Sequence, residues 1–163
     1  MQEATASASP ANMSRWPLPL PMQKALEQAE KAALAGEVPI GAVVVRNGEI
    51  IATAHNAPRA LKDPTAHAEV LAIRAAAEAL GQERLDGCDL WVTLEPCAMC
   101  AGAIVHARVD RVYYAAPDPK GGAVEHGARI FEQPGCLHRP EVYSGMGENE
   151  AGDMLRNFFR ARR

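Results

Sequence analysis

CDLWVTLEPCAMCAGAIVHARVDRVYYAA, residues 88–116, carries two short apolar runs separated by a stretch of small residues. The outer runs, CDLWVTL (88–94) and DRVYYAA (110–116), are rich in aromatic and β-branched side chains and predict strands. The middle, CAMCAGAIVHA (97–107), predicts a short helix able to pack closely, with Pro96 suited to its first turn, where a missing N–H costs nothing. A strand, a helix and a second strand in that order point to an α/β domain.

The pattern extends in both directions. Upstream, a helix over about 66–80 stops at Gly81, and the polar loop APRALKDP (57–64) precedes it. Before that loop, VPIGAVVV (38–45) and EIIATAHN (49–56) predict two strands joined by Asn47-Gly48, a strong two-residue hairpin signal. Residues 22–35 have apolar positions at helical spacing, with Gly36 as a stop. Downstream, DPKGGA (118–123) is a glycine-rich loop, EVYS (141–144) predicts a short strand, and EAGDMLRNFFRARR (150–163) predicts an amphipathic helix. No internal repeat and no linker interrupt residues 22–163, which predicts one α/β domain with a mixed sheet. Residues 1–21, rich in Pro, Ser and Ala, are expected to form a flexible leader.

Composition narrows the class. The 163 residues suffice for one real core, and 48% hydrophobic with 23% charged residues is ordinary for a globular protein. The net charge of −3 argues against broad nucleic-acid binding and leaves room for a local basic footprint. No apolar run approaches a membrane span, and the leader lacks an apolar signal core, so no membrane association and a cytoplasmic setting are expected. In a reducing compartment the four cysteines are expected to be metal ligands or free thiols.

Two stretches carry the chemistry. In PCAMC (96–100), Cys97 and Cys100 share a face of the first helical turn, near its positive end, which favours thiolates. A redox pair and a zinc site both use that spacing. In TAHAE (65–69), His67 opens the preceding predicted helix as Cys97 opens its own. Helices starting on the same side of a sheet would bring one His and two Cys together. Three protein ligands are the count of a catalytic zinc with a position left for water. Cys88 and Cys136 lack a matching spacing and are expected to be ordinary buried thiols. Glu69, two residues from His67, is offset from the ligands so that its carboxylate reaches the activated water and the substrate. Such a pairing suits hydrolytic deamination of an aromatic base, with Glu69 moving a proton to the departing nitrogen. His-x-Glu followed by Pro-Cys-x-x-Cys is the signature of zinc deaminases.

DPTAHAEVLAIRAA, TLEPCAMCAGAIVHAR, DPKGGA, VPIGAVVV followed by Asn56, and the ending FFRARR closely resemble the bacterial tRNA-specific adenosine deaminases, over about residues 22–163. HAE with PCxxC alone is shared with cytosine, guanine and cytidine deaminases; the longer strings favour the tRNA enzymes. The resemblance implies a cytidine-deaminase-like three-layer α/β/α sandwich with a central mixed sheet. It also implies a homodimer, one zinc ion per subunit, no organic cofactor, and conversion of the wobble adenosine to inosine in the anticodon stem-loop of an arginine tRNA. Matched by residue, His67, Cys97 and Cys100 would bind zinc and Glu69 would shuttle the proton. Asn56 would hydrogen-bond the flipped adenine, Val38 and Ile40 would line the base pocket, and Asp118 with Lys120 would lie in a loop facing the RNA. Plain structural roles also fit: a strand-ending turn for Asn56, strand packing for Val38 and Ile40, a solvated turn for Asp118 and Lys120. After DPKGGA this chain reads VEHGARIF, where many members carry a Gly-Ser pair.

MLRNFFRARR (154–163) adds four arginines and no acid. Arg156 and Arg160 could pair with phosphates, and Phe158 and Phe159 could stack on bases. The same pattern fits an amphipathic helix with at least one Phe in the core. A free nucleobase or nucleoside deaminase, acting on guanine or cytosine with the same zinc chemistry, is the alternative function. A noncatalytic zinc-stabilised RNA-binding subunit is a third reading, which the presence of Glu69 disfavours.

Overall fold

A computed structural model describes residues 17–162. The first sixteen residues of the expected leader, and Arg163, lie outside the described residues. The chain forms α1 (Leu20–Leu34), β1 (Gly41–Arg46), β2 (Glu49–His55), α2 (Pro58–Leu61), α3 (Ala68–Leu80), β3 (Cys88–Leu94), α4 (Ala98–Ala107), β4 (Arg111–Ala116), β5 (Glu141–Ser144) and α5 (Glu148–Arg160). The sheet runs in the order β2-β1-β3-β4-β5. β1 is antiparallel to both β2 and β3, while β3, β4 and β5 are parallel. The sheet is therefore mixed, as expected.

Alternation of side chains along the strands builds two cores. On one face Ala42, Val44, Leu90, Val92 and Val112 meet Ala68, Ala72 and Ala76 of α3 and Ala101, Ile104 and Val105 of α4. On the other, Val43, Val45 and Trp91 meet Met22 and Ala25 of α1 and Ala151 of α5. The result is a three-layer α/β/α sandwich.

The β1–β2 hairpin turns at Asn47-Gly48, both in the left-handed region (φ 52° and 78°), the geometry that this dipeptide favours. Gly41 lies under α1: a Cβ there would stand 2.0 Å from the Ala25 carbonyl oxygen and 2.6 Å from Ala29 N. That close approach requires a residue without a side chain.

Several details depart from the expectations, among them α5, which begins at Glu148, two residues early, and ends at Arg160. β1 begins at Gly41, not at Val38, because Pro39 cannot donate to a ladder and the Ile40 N–H turns back to the Val38 carbonyl (2.8 Å). α1 starts at Leu20, two residues early, with a proline in its first turn. The loop 57–64 contains the short helix α2. Pro96 lies just before the α4 N-cap, not inside the first turn.

Candidate metal centre

β2 and β3 both run antiparallel to β1, so they point the same way. The helices that follow them, α3 and α4, pack on the same face, and both therefore start at the end of the sheet where β2 and β3 finish. His67 is the N-cap of α3 (φ −75°, ψ 152°) and Cys97 is the N-cap of α4 (φ −76°, ψ 178°), both in extended backbone. Each already accepts the first helical bond, from Leu71 N–H (3.0 Å) and Ala101 N–H (2.8 Å). Neither side chain caps its own helix, which leaves both free to face the shared end. Asp63 fixes the approach to His67: its carboxylate accepts the Thr65 N–H (2.9 Å) and hydroxyl (2.7 Å).

His67 Nδ1 stands 3.6 Å from Cys97 Sγ and 3.5 Å from Cys100 Sγ, and the three ligand atoms lie within 4.8 Å of one another. Tetrahedral zinc, at about 2.3 Å from sulfur and about 2.0 Å from nitrogen, sets nitrogen and sulfur about 3.5 Å apart. The donor set and its spacing thus fit the ion. No other such cluster of His, Cys, Asp or Glu occurs among the described residues.

Electrostatics at this end of the sheet follow from burial and proximity. Contact with the Cys100 thiol holds Cys97 down at about 5 against the opposing effect of burial, with help from the Cys100 N–H and His67. The same contact, reinforced by burial, pushes Cys100 up. Glu69 occupies the first turn of α3 and is 4% exposed. Burial pushes its carboxyl up to about 7.

Asn56 follows β2 and is buried. Its Oδ1 accepts the Ala68 N–H (2.8 Å), tying it between His67 and Glu69 in sequence. Its backbone N–H donates to the Ile40 carbonyl (3.0 Å), so the segment 38–40 lies alongside. Val38, Asn56 and Phe158 line one recess with Pro58, Arg59 and Arg162. Ile40 instead packs against the core beneath α3 and α4.

None of the remaining candidates belongs to the His67, Cys97 and Cys100 cluster. Asp118 Oδ1 accepts the Lys120 N–H (3.2 Å) and the Gly121 N–H (2.9 Å), holding its own turn, and Lys120 is exposed. Phe158 is 9% exposed and lies under the Arg162 guanidinium, 3.6 Å from its ring centroid, while Phe159 is 49% exposed. Arg156 and Arg160 are exposed and bond within α5, to Asp153 and Asn157. The sequence reading missed Glu37, whose buried carboxylate accepts the N–H groups of Arg59 (3.2 Å) and Ala60 (2.8 Å) and so carries one wall of the recess. No local pattern marks it, because its partners lie across a turn of the chain.

The MafB19-like deaminase family matches residues 20–163. The chain is 59% identical, over 142 residues, to a tRNA-specific adenosine deaminase of Agrobacterium fabrum, covering 87% of this chain and 93% of that protein. A solved structure from work on A-to-I editing by tRNA deaminases at the wobble position of transfer RNA superposes with TM-score 0.83 at 58% identity, over 83% of this chain and 99% of that one. A guanine deaminase of Bacillus subtilis is more distant: TM-score 0.60, 36% identity, 85% of this chain and 92% of that one.

Proposed function

The chain belongs to the tRNA-specific adenosine deaminase family, and from that premise we propose that it deaminates the wobble adenosine of a tRNA anticodon loop to inosine, an arginine tRNA being the expected substrate. The convergence of His67, Cys97 and Cys100, with the Glu69 carboxylate buried in the first turn of α3, supports the deaminase chemistry, and the 59% identity to a tRNA-specific adenosine deaminase supports the substrate. His67, Cys97 and Cys100 would hold one zinc ion. Bound zinc makes water a usable nucleophile near neutral pH.

Glu69 takes the proton that water gives up as its oxygen bonds to the ring carbon, and returns it to the departing amino group. Water enters and ammonia leaves. Asn56 orients the base. Because its Oδ1 is committed to the Ala68 N–H, its amide NH2 is the group left for the substrate, and a donor there suits a ring nitrogen acceptor such as adenine N7. Val38 and Phe158 supply apolar walls beside it. An anticodon loop suits this recess because its bases leave the stack at low cost. As exposed cations Lys120, Arg156 and Arg160 would meet phosphates, and the half-exposed Phe159 would stack on a base.

The reading includes a homodimer in the cytoplasm. Met99, between the two cysteines, is 38% exposed and Leu61 is 56% exposed, apolar surface that a second copy would cover. No described helix is long and apolar enough to cross a membrane.

The test is inosine formation in an arginine tRNA bearing a wobble adenosine, with free adenosine, guanine and cytosine run in parallel. Inosine in the tRNA, lost in Glu69→Ala while folding and metal content persist, is the expected result. Turnover of a free base alone would keep the chemistry and overturn the substrate.

A further inference from the structure

Glu95, in the sequence TLEPC, is buried to 2% exposure, and its carboxylate collects five hydrogen bonds. Oε1 accepts the Asp118 N–H (3.0 Å) and the His126 ring N–H (2.8 Å). Oε2 accepts three consecutive backbone N–H groups, from Val124 (3.1 Å), Glu125 (2.9 Å) and His126 (3.1 Å). Successive N–H groups turned to one point form a nest for an anion. Here the anion is supplied by the protein itself. These bonds outweigh the effect of burial and hold the Glu95 carboxyl below the ordinary carboxylate range.

The loop closes on this carboxylate with no room to spare. A Cβ at Gly122 would lie 2.5 Å from Glu95 Cδ and from the Asp118 carbonyl oxygen. Gly127, in the left-handed region at φ 56°, packs equally tightly on Gly122. The Ala123 N–H donates to the Pro96 carbonyl (2.9 Å), and the Glu95 N–H to that of Ala116 (2.8 Å). One tripeptide, Glu95-Pro96-Cys97, therefore grips the loop 118–127 on one side and supplies a candidate metal ligand on the other. Two residues of the stretch VEHGARIF each pin that loop. Glu125 accepts the Tyr114 hydroxyl of β4. His126, with a side chain 38% exposed, donates to Glu95.

We propose that Glu95 and His126 are positioning residues that hold the loop 118–127, with Lys120, in fixed relation to the Cys97 turn, so that an anticodon loop binds with its adenosine in register. The inference rests on the tRNA reading above. Neither residue touches the base; both act through the loop.

The test uses the full chain with His126→Ala and the conservative His126→Asn, whose amide can still donate to Glu95. The readouts are KM and kcat on an anticodon stem-loop, bound zinc, thermal midpoint, and stem-loop affinity in a Glu69→Ala background, where nothing turns over. Losing one hydrogen bond to a charged group should raise KM and Kd about tenfold in His126→Ala, with kcat and zinc content kept. His126→Asn should recover most of the loss. Tryptic cleavage after Lys120 should accelerate in His126→Ala alone. Unchanged KM and Kd in His126→Ala would overturn the proposal, as would a fall in kcat accompanied by loss of zinc. A wild-type chain that neither binds nor deaminates the stem-loop would instead sink the tRNA reading and this inference with it. Normal wild-type activity with an unaltered His126→Ala removes the inference alone.

Discussion

His67 and Glu69 stand two apart, a spacing that puts no two side chains on one helical face. The offset has a structural reason: His67 is an N-cap in extended backbone, and Glu69 is already in the first helical turn. The two can therefore hold different positions around one site. Asn56 shows what the sequence leaves open. Its residue type offers a donor and an acceptor, and only the fold assigns the acceptor to the Ala68 N–H. Asn56→Asp separates the two functions. An aspartate oxygen can still accept from Ala68, so the turn should fold, but the donor proposed to face the base is gone. Loss of that donor, with a carboxylate in its place, should cost about 2 kcal/mol of recognition or more. The expected outcome is kcat/KM on the stem-loop reduced at least about thirtyfold in a chain that still folds. Equal kcat/KM would remove Asn56 from the base-reading role.

Among the elements, legibility depended on whether the signal was local. β3 is bounded by the sequence pattern at both ends, and α3 stops at Gly81 in the left-handed region (φ 67°), as the glycine foretold. The Asn47-Gly48 turn was equally plain. The strand expected at Val38 failed because a buried apolar run has no periodicity of its own, and Pro39 ended the ladder. The helix at Pro58–Leu61 escaped notice because the Glu37 carboxylate, more than twenty residues away, satisfies its first N–H groups. Gly41 is another case where the reason lies in a neighbour. It reads as a weak point in a strand, yet α1 rests on it. Gly41→Ala would drive a methyl group into the Ala25 carbonyl and force α1 away from the sheet. Overpacking of this kind typically costs about 1–3 kcal/mol, and the backbone contact places this case towards the upper end. Urea denaturation should show a lower midpoint with an unchanged slope; a midpoint equal to that of the wild type would mean that α1 shifts freely.

At the scale of the whole molecule, the sequence conveyed a mixed sheet but not the order β2-β1-β3-β4-β5, since strand order is a property of long-range pairing. That order matters because it sends β2 and β3 in the same direction and so brings the starts of α3 and α4 together. The candidate ligands then come from two helices that no peptide bond joins directly: His67 from one, Cys97 and Cys100 from the other. In the unfolded chain they are separated by about thirty residues and form no comparable site. A metal that binds them binds the native state, and it stabilises that state in proportion to the logarithm of its free concentration over Kd, about 4 kcal/mol at a thousandfold excess. Chelation should therefore do more than stop turnover. It should lower the thermal midpoint of the wild type by several degrees, and added zinc should restore both the midpoint and inosine formation. Cys97→Ala, lacking one ligand, should start at the lower midpoint and shift little with chelator or zinc. A wild-type midpoint indifferent to chelator, with metal loss verified by elemental analysis, would mean that α3 and α4 are held together by their alanine-rich packing alone and that the ion serves only the chemistry.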